Sequence, residues 1–190
     1  MDELSRTTRA VRAGIDTDAA QGAVVPPIYL STTYNFSEFG RPREFDYSRS
    51  GNPTRRLLAD ALADLEGGVR GVVTATGMGA ITVCAKALVP AGGRVVLPHD
   101  CYGGTWRLFD ALARRGDLQV VSLDLTAPDA AAAVAASYAD LVWIETPSNP
   151  LLRITDLTEV VSAARAAGAL VVADNTFSSP VVQRPLEFGV

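Results

Sequence analysis

The sequence predicts an α/β fold, a mostly parallel sheet covered by helices on both faces. Three observations carry that expectation. From about residue 54 onward, short apolar runs alternate with helix-length segments, and each crossover helix returns the chain to the same strand direction. The runs themselves are rich in valine and leucine with little polar alternation, as strands buried on both faces require. Finally, 190 residues with 48% hydrophobic and 20% charged side chains suffice to stock a folded core.

In chain order, residues 1–50 carry Pro26-Pro27, Thr32-Thr33 and several glycines without sustained periodicity, and read as an irregular, extended arm. Asn52-Pro53 then opens a helix over 54–66. Leu57, Leu58, Ala61, Leu62 and Leu65 fall on one of its faces, and Gly67-Gly68 lies past its end. Strands are expected at 72–73, 94–97, 119–123, 141–144 and 169–173, and helices near 78–88, 105–115, 127–136 and 157–167. Residues 51–190 thus form the α/β domain. In such sheets ligands gather beyond the carboxyl ends of the strands, so the loops that follow them are where chemistry is expected.

Bulk properties narrow the function. A net charge of -4 and a pI near 5.0 argue against a general nucleic-acid binder. The start Met1-Asp2-Glu3 lacks a basic region followed by an apolar core, and no apolar run is long enough to cross a bilayer, so no membrane role and a cytoplasmic location are expected. Cys84, Cys101 and the single histidine, His99, show no metal-ligand spacing, so neither a metal site nor a Ser-His-Asp triad is expected. Of the 17 basic residues only Lys86 is lysine.

Five segments carry candidate chemistry. In Tyr47-Ser-Arg-Ser-Gly-Asn-Pro-Thr54, residues i and i+2 of an extended stretch point the same way, so Tyr47 and Arg49 can present a phenol and a forked cation to one anion, a phosphate by preference. A plain surface loop is the competing reading. Gly77 and Met78, in Thr74-Ala-Thr-Gly-Met-Gly-Ala-Ile81, fall at a helix start whose unpaired N–H groups attract anions. A glycine-permitted turn without a ligand is the alternative, whereas a dinucleotide loop is disfavoured because Thr82 stands where its third glycine belongs. Tyr102, followed by Gly103-Gly104, can stack on a flat cofactor or sit as a rim residue. Asn149, between two prolines, is either a rigidly positioned amide or part of an ordinary connection. Asp174 closes an apolar strand, where a carboxylate needs either a partner or a capping role.

Taken together, in order and spacing, these segments resemble the pyridoxal-phosphate enzymes of cysteine and methionine metabolism over nearly the whole chain. The resemblance implies the large cofactor-binding domain of the fold-type I pyridoxal-phosphate transferases, truncated, with pyridoxal 5'-phosphate as cofactor. It implies that Gly77 and Met78 hold the cofactor phosphate, that Tyr102 stacks on the ring, and that Asp174 pairs with the ring nitrogen. Asn149 and Thr176 would stand beside the cofactor. Tyr47 and Arg49 would reach the phosphate of a neighbouring subunit, which implies an arm donated across an interface and a homotetramer of catalytic dimers.

Within the family the pattern leans to the synthase branch, which performs γ-replacement on an O-acylhomoserine, O-succinylhomoserine by preference, with cysteine to give cystathionine. Asp46 and Arg107 match substrate contacts there, or else form an ion pair or point to solvent. Gly104 stands where methionine γ-lyases carry cysteine. A γ-lyase and a non-catalytic binding or assembly fragment are the alternatives. The family's cofactor-anchoring lysine is expected roughly ten residues after Val190, and Lys86 reads as a solvated helix residue. The sequence is therefore expected to be the amino-terminal half of a longer enzyme.

Overall fold

The computed structural model describes residues 4–190, and the contacts group the chain into two compact units, Met1–Val73 and Thr74–Val190. In the first unit, α1 (Arg6–Arg12) is a helix that the arm's composition did not predict. Its start is set by Ser5, whose hydroxyl accepts the Thr8 N–H at 3.2 Å, and Arg9 Nε donates to Asp64 at 3.2 Å to tie it to α2 (Pro53–Glu66). Helix α2 has the punctuation expected of it. Asn52 caps the Thr54 and Arg55 amides, Pro53 occupies the first turn, and Gly67 ends it in the left-handed region at φ 78°.

Between these helices the arm is irregular, with isolated bridges at Thr33–Tyr47 and Glu38–Arg41. Val72-Val73, expected as a strand, pairs with no strand among the described residues, and Val72 is 77% exposed. Two valines without a ladder partner cannot satisfy their backbone groups as a strand does.

The second unit is the α/β domain. Its strands are β1 (Arg94–Pro98), β2 (Gln119–Leu123), β3 (Leu141–Glu145) and β4 (Leu170–Asp174), all parallel in the order β2-β1-β3-β4. The connecting helices are α3 (Gly77–Leu88), α4 (Gly103–Arg114), α5 (Ala130–Ala135) and α6 (Leu157–Ala166). A short α7 (Ser179–Val182) and a 3-10 turn over Pro185–Phe188 follow.

Alternate residues of β3 face opposite cores, as the two-residue period demands. Val142 and Ile144 pack with α5 and α6 side chains such as Val134, Val160 and Val161. Leu141 and Trp143 pack on the other face with Ile81 of α3 and with Phe109 and Leu112 of α4. Helices therefore cover both faces, as expected. Among the described residues no helix is long and apolar enough to cross a membrane.

The strand order reverses between β1 and β3: the chain leaves β1 toward β2 on one side, and β3 lies on the other. A crevice opens at the carboxyl ends of strands that diverge in this way, and ligands of open α/β sheets occupy it.

Candidate functional site

A cavity of about 380 Å³ lies at those strand ends in the second unit. It is lined by Thr76, Gly77 and Met78 from the start of α3, Tyr102 from the loop after β1, Glu145, Pro147 and Asn149 from the end of β3, and Asp174, Thr176 and Phe177 from the end of β4. Its size suits a small organic cofactor.

Each wall has a local cause. Thr76 caps α3 by accepting the Gly79 N–H at 2.9 Å, and helix geometry leaves the Gly77 and Met78 amides with no intrahelical acceptor. A Cβ built on Gly77 would meet nothing within 4 Å, so this end of the cavity is open to a bulky anion. The backbone N–H of Tyr102 donates to Glu145 Oε2 at 2.8 Å, and the residue remains 42% exposed. The glycine after next is needed there. A Cβ on Gly104 would collide with the Tyr102 ring and lie 2.7 Å from the Met78 sulfur.

Asn149 follows the turn after β3, in which the Thr146-Pro147 and Asn149-Pro150 peptide bonds are cis. The Asn149 side-chain amide makes no hydrogen bond among the described residues. At the end of β4, Asp174 Oδ1 accepts the Thr176 N–H at 3.1 Å and the Thr176 hydroxyl, while its other oxygen carries no partner among the described residues. Glu145 and Asp174 are register partners on β3 and β4, so two carboxylates stand side by side at the cavity floor. Burial, the adjacent Asp174 and Asp100 push the Glu145 carboxyl up, against the opposing effect of the Tyr102 and Asn149 backbone N–H groups. Burial and the Glu145 charge likewise push the Cys101 thiol up to about 11, which leaves it an inert packing residue.

The cavity thus brings together six of the expected residues: Gly77, Met78, Tyr102, Asn149, Asp174 and Thr176. Arg107 lies further along α4 and is exposed, with its guanidinium 3.2 Å from where a Gly103 Cβ would be. Tyr47, Arg49 and Asp46 belong to the first unit. The Arg49 guanidinium donates to the Tyr47 hydroxyl at 2.5 Å and lies 4.9 Å from the Tyr47 ring centre, so the two polar groups do face one way. Asp46 accepts from the Ser50 hydroxyl at 3.4 Å. Lys86 sits on α3 with its ammonium 3.5 Å from Asp117 and its side chain 58% exposed.

Sequence reasoning missed Thr76, Ile81, Glu145, Pro147 and Phe177 as wall residues. The signal for Glu145 was the one used for Asp174: an acid closing an apolar strand.

The residues present suit a flat phosphorylated pyridine. They offer free amides for the phosphate, an aromatic for the ring face, a side-chain amide, and a carboxylate with an open oxygen for the ring nitrogen.

Known proteins are similar to this chain in sequence and fold. The Escherichia coli (strain K12) cystathionine gamma-synthase is 50% identical over 184 residues, 97% of this chain and 48% of that protein. A Lactococcus lactis subsp. cremoris cystathionine beta-lyase is 41% identical over 97% of this chain and 48% of its own length. The crystal structure of the Xanthomonas oryzae pv. oryzae cystathionine gamma synthase in complex with cystathionine superposes with a TM-score of 0.94 at 56% identity, covering 99% of this chain and 49% of that one. The chain therefore spans about half the length of the relatives it matches. A family description, Cys/Met metabolism PLP-dependent enzyme, matches residues 7–190, and the chain belongs to that pyridoxal-phosphate-dependent family.

Proposed function

We propose that the full-length protein joins an O-acylhomoserine, O-succinylhomoserine by preference, to cysteine in a γ-replacement that yields cystathionine, as a step of methionine biosynthesis in the cytoplasm. The observation that supports this most is the single cavity that gathers amides, aromatic, carboxamide and carboxylate, in a chain 56% identical to a synthase crystallised with cystathionine.

When bound, pyridoxal phosphate supplies an electron-withdrawing ring that takes up charge from the substrate's α carbon. The chain's own residues do the rest. The Gly77 and Met78 amides hold the phosphate at the α3 N-terminus. Thr176 fixes one Asp174 oxygen and with it the plane of the carboxylate, so the free oxygen would face the ring nitrogen and would hold a proton on it. Tyr102, at the cavity wall, would cover one ring face and exclude water from it, and its phenol would move a proton at the leaving group. Asn149 lines the same cavity, where its side-chain amide would donate to the ring's phenolic oxygen. Asp46 and Arg107 contact substrate, and Tyr47 with Arg49 reaches the phosphate site of a neighbouring subunit in a homotetramer.

The test is turnover by the full-length protein with O-succinylhomoserine and cysteine, read by mass spectrometry. Cystathionine as the main product is expected, and it should fall at least about a hundredfold in D174A, since the loss removes an interaction worth several kcal/mol in the transition state. Cleavage of cystathionine to 2-oxobutanoate without net synthesis would assign the lyase reaction instead.

A further inference from the structure

Glu145 is a buried acid without a cation. It is 5% exposed, none of the ion pairs among the described residues includes it, and its neighbours from β4 and from the loop after β1 are the acids Asp174 and Asp100. A carboxylate is costly to bury there, at the end of a strand whose other residues are all buried and apolar, unless it is hydrogen-bonded.

What the carboxylate does instead is join loops. Its Oε2 accepts the Tyr102 backbone N–H at 2.8 Å, and the Asn149 backbone N–H also favours its charged form. A second tie runs the opposite way between the same two loops: the Ser148 hydroxyl, 2% exposed, donates to Asp100 Oδ2 at 2.6 Å. The loop after β1 and the turn after β3 flank the switch-point crevice, and they carry Tyr102 and Asn149.

We infer that Glu145 is a positioning residue: by accepting the Tyr102 backbone N–H from the end of β3, beside the reciprocal Ser148–Asp100 tie, it fixes the ring-facing aromatic against the turn that carries the Asn149 amide, next to Asp174. The inference rests on the cofactor site proposed above. Fixing both walls removes rotational freedom that cofactor binding would otherwise have to remove.

The test uses the full-length protein and pyridoxal 5'-phosphate, with affinity read by absorbance and ring orientation by the circular dichroism induced in the cofactor band, normalised to bound cofactor. E145A should bind about tenfold or more weakly and lose at least half of the normalised ellipticity. E145Q keeps an oxygen to accept the same donors and should restore both to within about threefold of wild type. Ellipticity per bound cofactor separates positioning from mere loss of stability, which changes occupancy only. If E145A is insoluble, S148A cuts the reciprocal tie and should lower the normalised ellipticity in the same direction. Unchanged ellipticity and affinity in E145A, or in S148A where E145A is insoluble, overturns the inference, as does an E145Q as impaired as E145A. A wild-type protein that binds no pyridoxal phosphate overturns the cofactor reading itself.

Discussion

Gly104 shows how one missing carbon shapes the site. A Cβ there would collide with the Tyr102 ring and the Met78 thioether, and both obstacles are ends of movable side chains rather than backbone. The ring is part-exposed and can swing away, so a substitution should disturb the cavity more than the fold. G104A is expected to cost less than about 1 kcal/mol of stability but to weaken pyridoxal-phosphate binding severalfold, because the displaced ring no longer lies parallel to the slot. Thermal unfolding beside a cofactor titration checks this, and unchanged affinity with normal cofactor absorbance would contradict it. At this scale much was legible in the sequence. Asp174 announced itself as an acid ending an apolar strand, and Gly77-Met78 as a glycine-opened helix start. Glu145 gave the same signal as Asp174, yet what distinguishes it, a hydrogen bond from the Tyr102 backbone in a different loop, depends on distances that spacing does not encode.

Elements were legible where local chemistry decides them. Helix α2 follows from Asn52-Pro53 at one end, Gly67 at the other and a leucine stripe between, and each of these acts within one turn. The four strands of the sheet follow from valine-rich runs between glycine and proline. Helix α1 and the missing strand at Val72-Val73 were not legible, because the first leans on an ion pair with Asp64, far away in sequence, and the second needs a ladder partner. Gly71 has its own long-range reason. A Cβ on it would run into the Ala59 carbonyl oxygen of α2 and approach its carbonyl carbon to 2.9 Å, an obstacle made of backbone that cannot swing aside. G71A is therefore expected to destabilise the protein by about 1–3 kcal/mol, read as a lower denaturant midpoint at unchanged m-value. A midpoint equal to wild type would show that the loop before Val72 yields freely.

For the whole molecule, the strand order matters most. Placing β1 beside β3 opens the crevice between Tyr102 and Asn149, and placing β4 beside β3 sets Asp174 next to Glu145, so topology assembles pairs that are 47 and 29 positions apart in sequence. Alternation of strands and helices foretold a parallel sheet but not its order. The arm's Tyr47-Arg49 pair holds a phenol and a guanidinium together, and its proposed target is the phosphate at the α3 N-terminus of another subunit. One measurement tests the site and this assembly together: a crystal structure of the full-length protein with pyridoxal phosphate. The account predicts the phosphate on the Gly77 and Met78 amides, the ring nitrogen within hydrogen-bond distance of Asp174, the ring against Tyr102, and a neighbouring subunit's Tyr47 and Arg49 at the phosphate. A cofactor bound elsewhere, or a ring nitrogen turned away from Asp174, would contradict the site, and Tyr47 with Arg49 closing on their own chain's phosphate would contradict the intersubunit clamp.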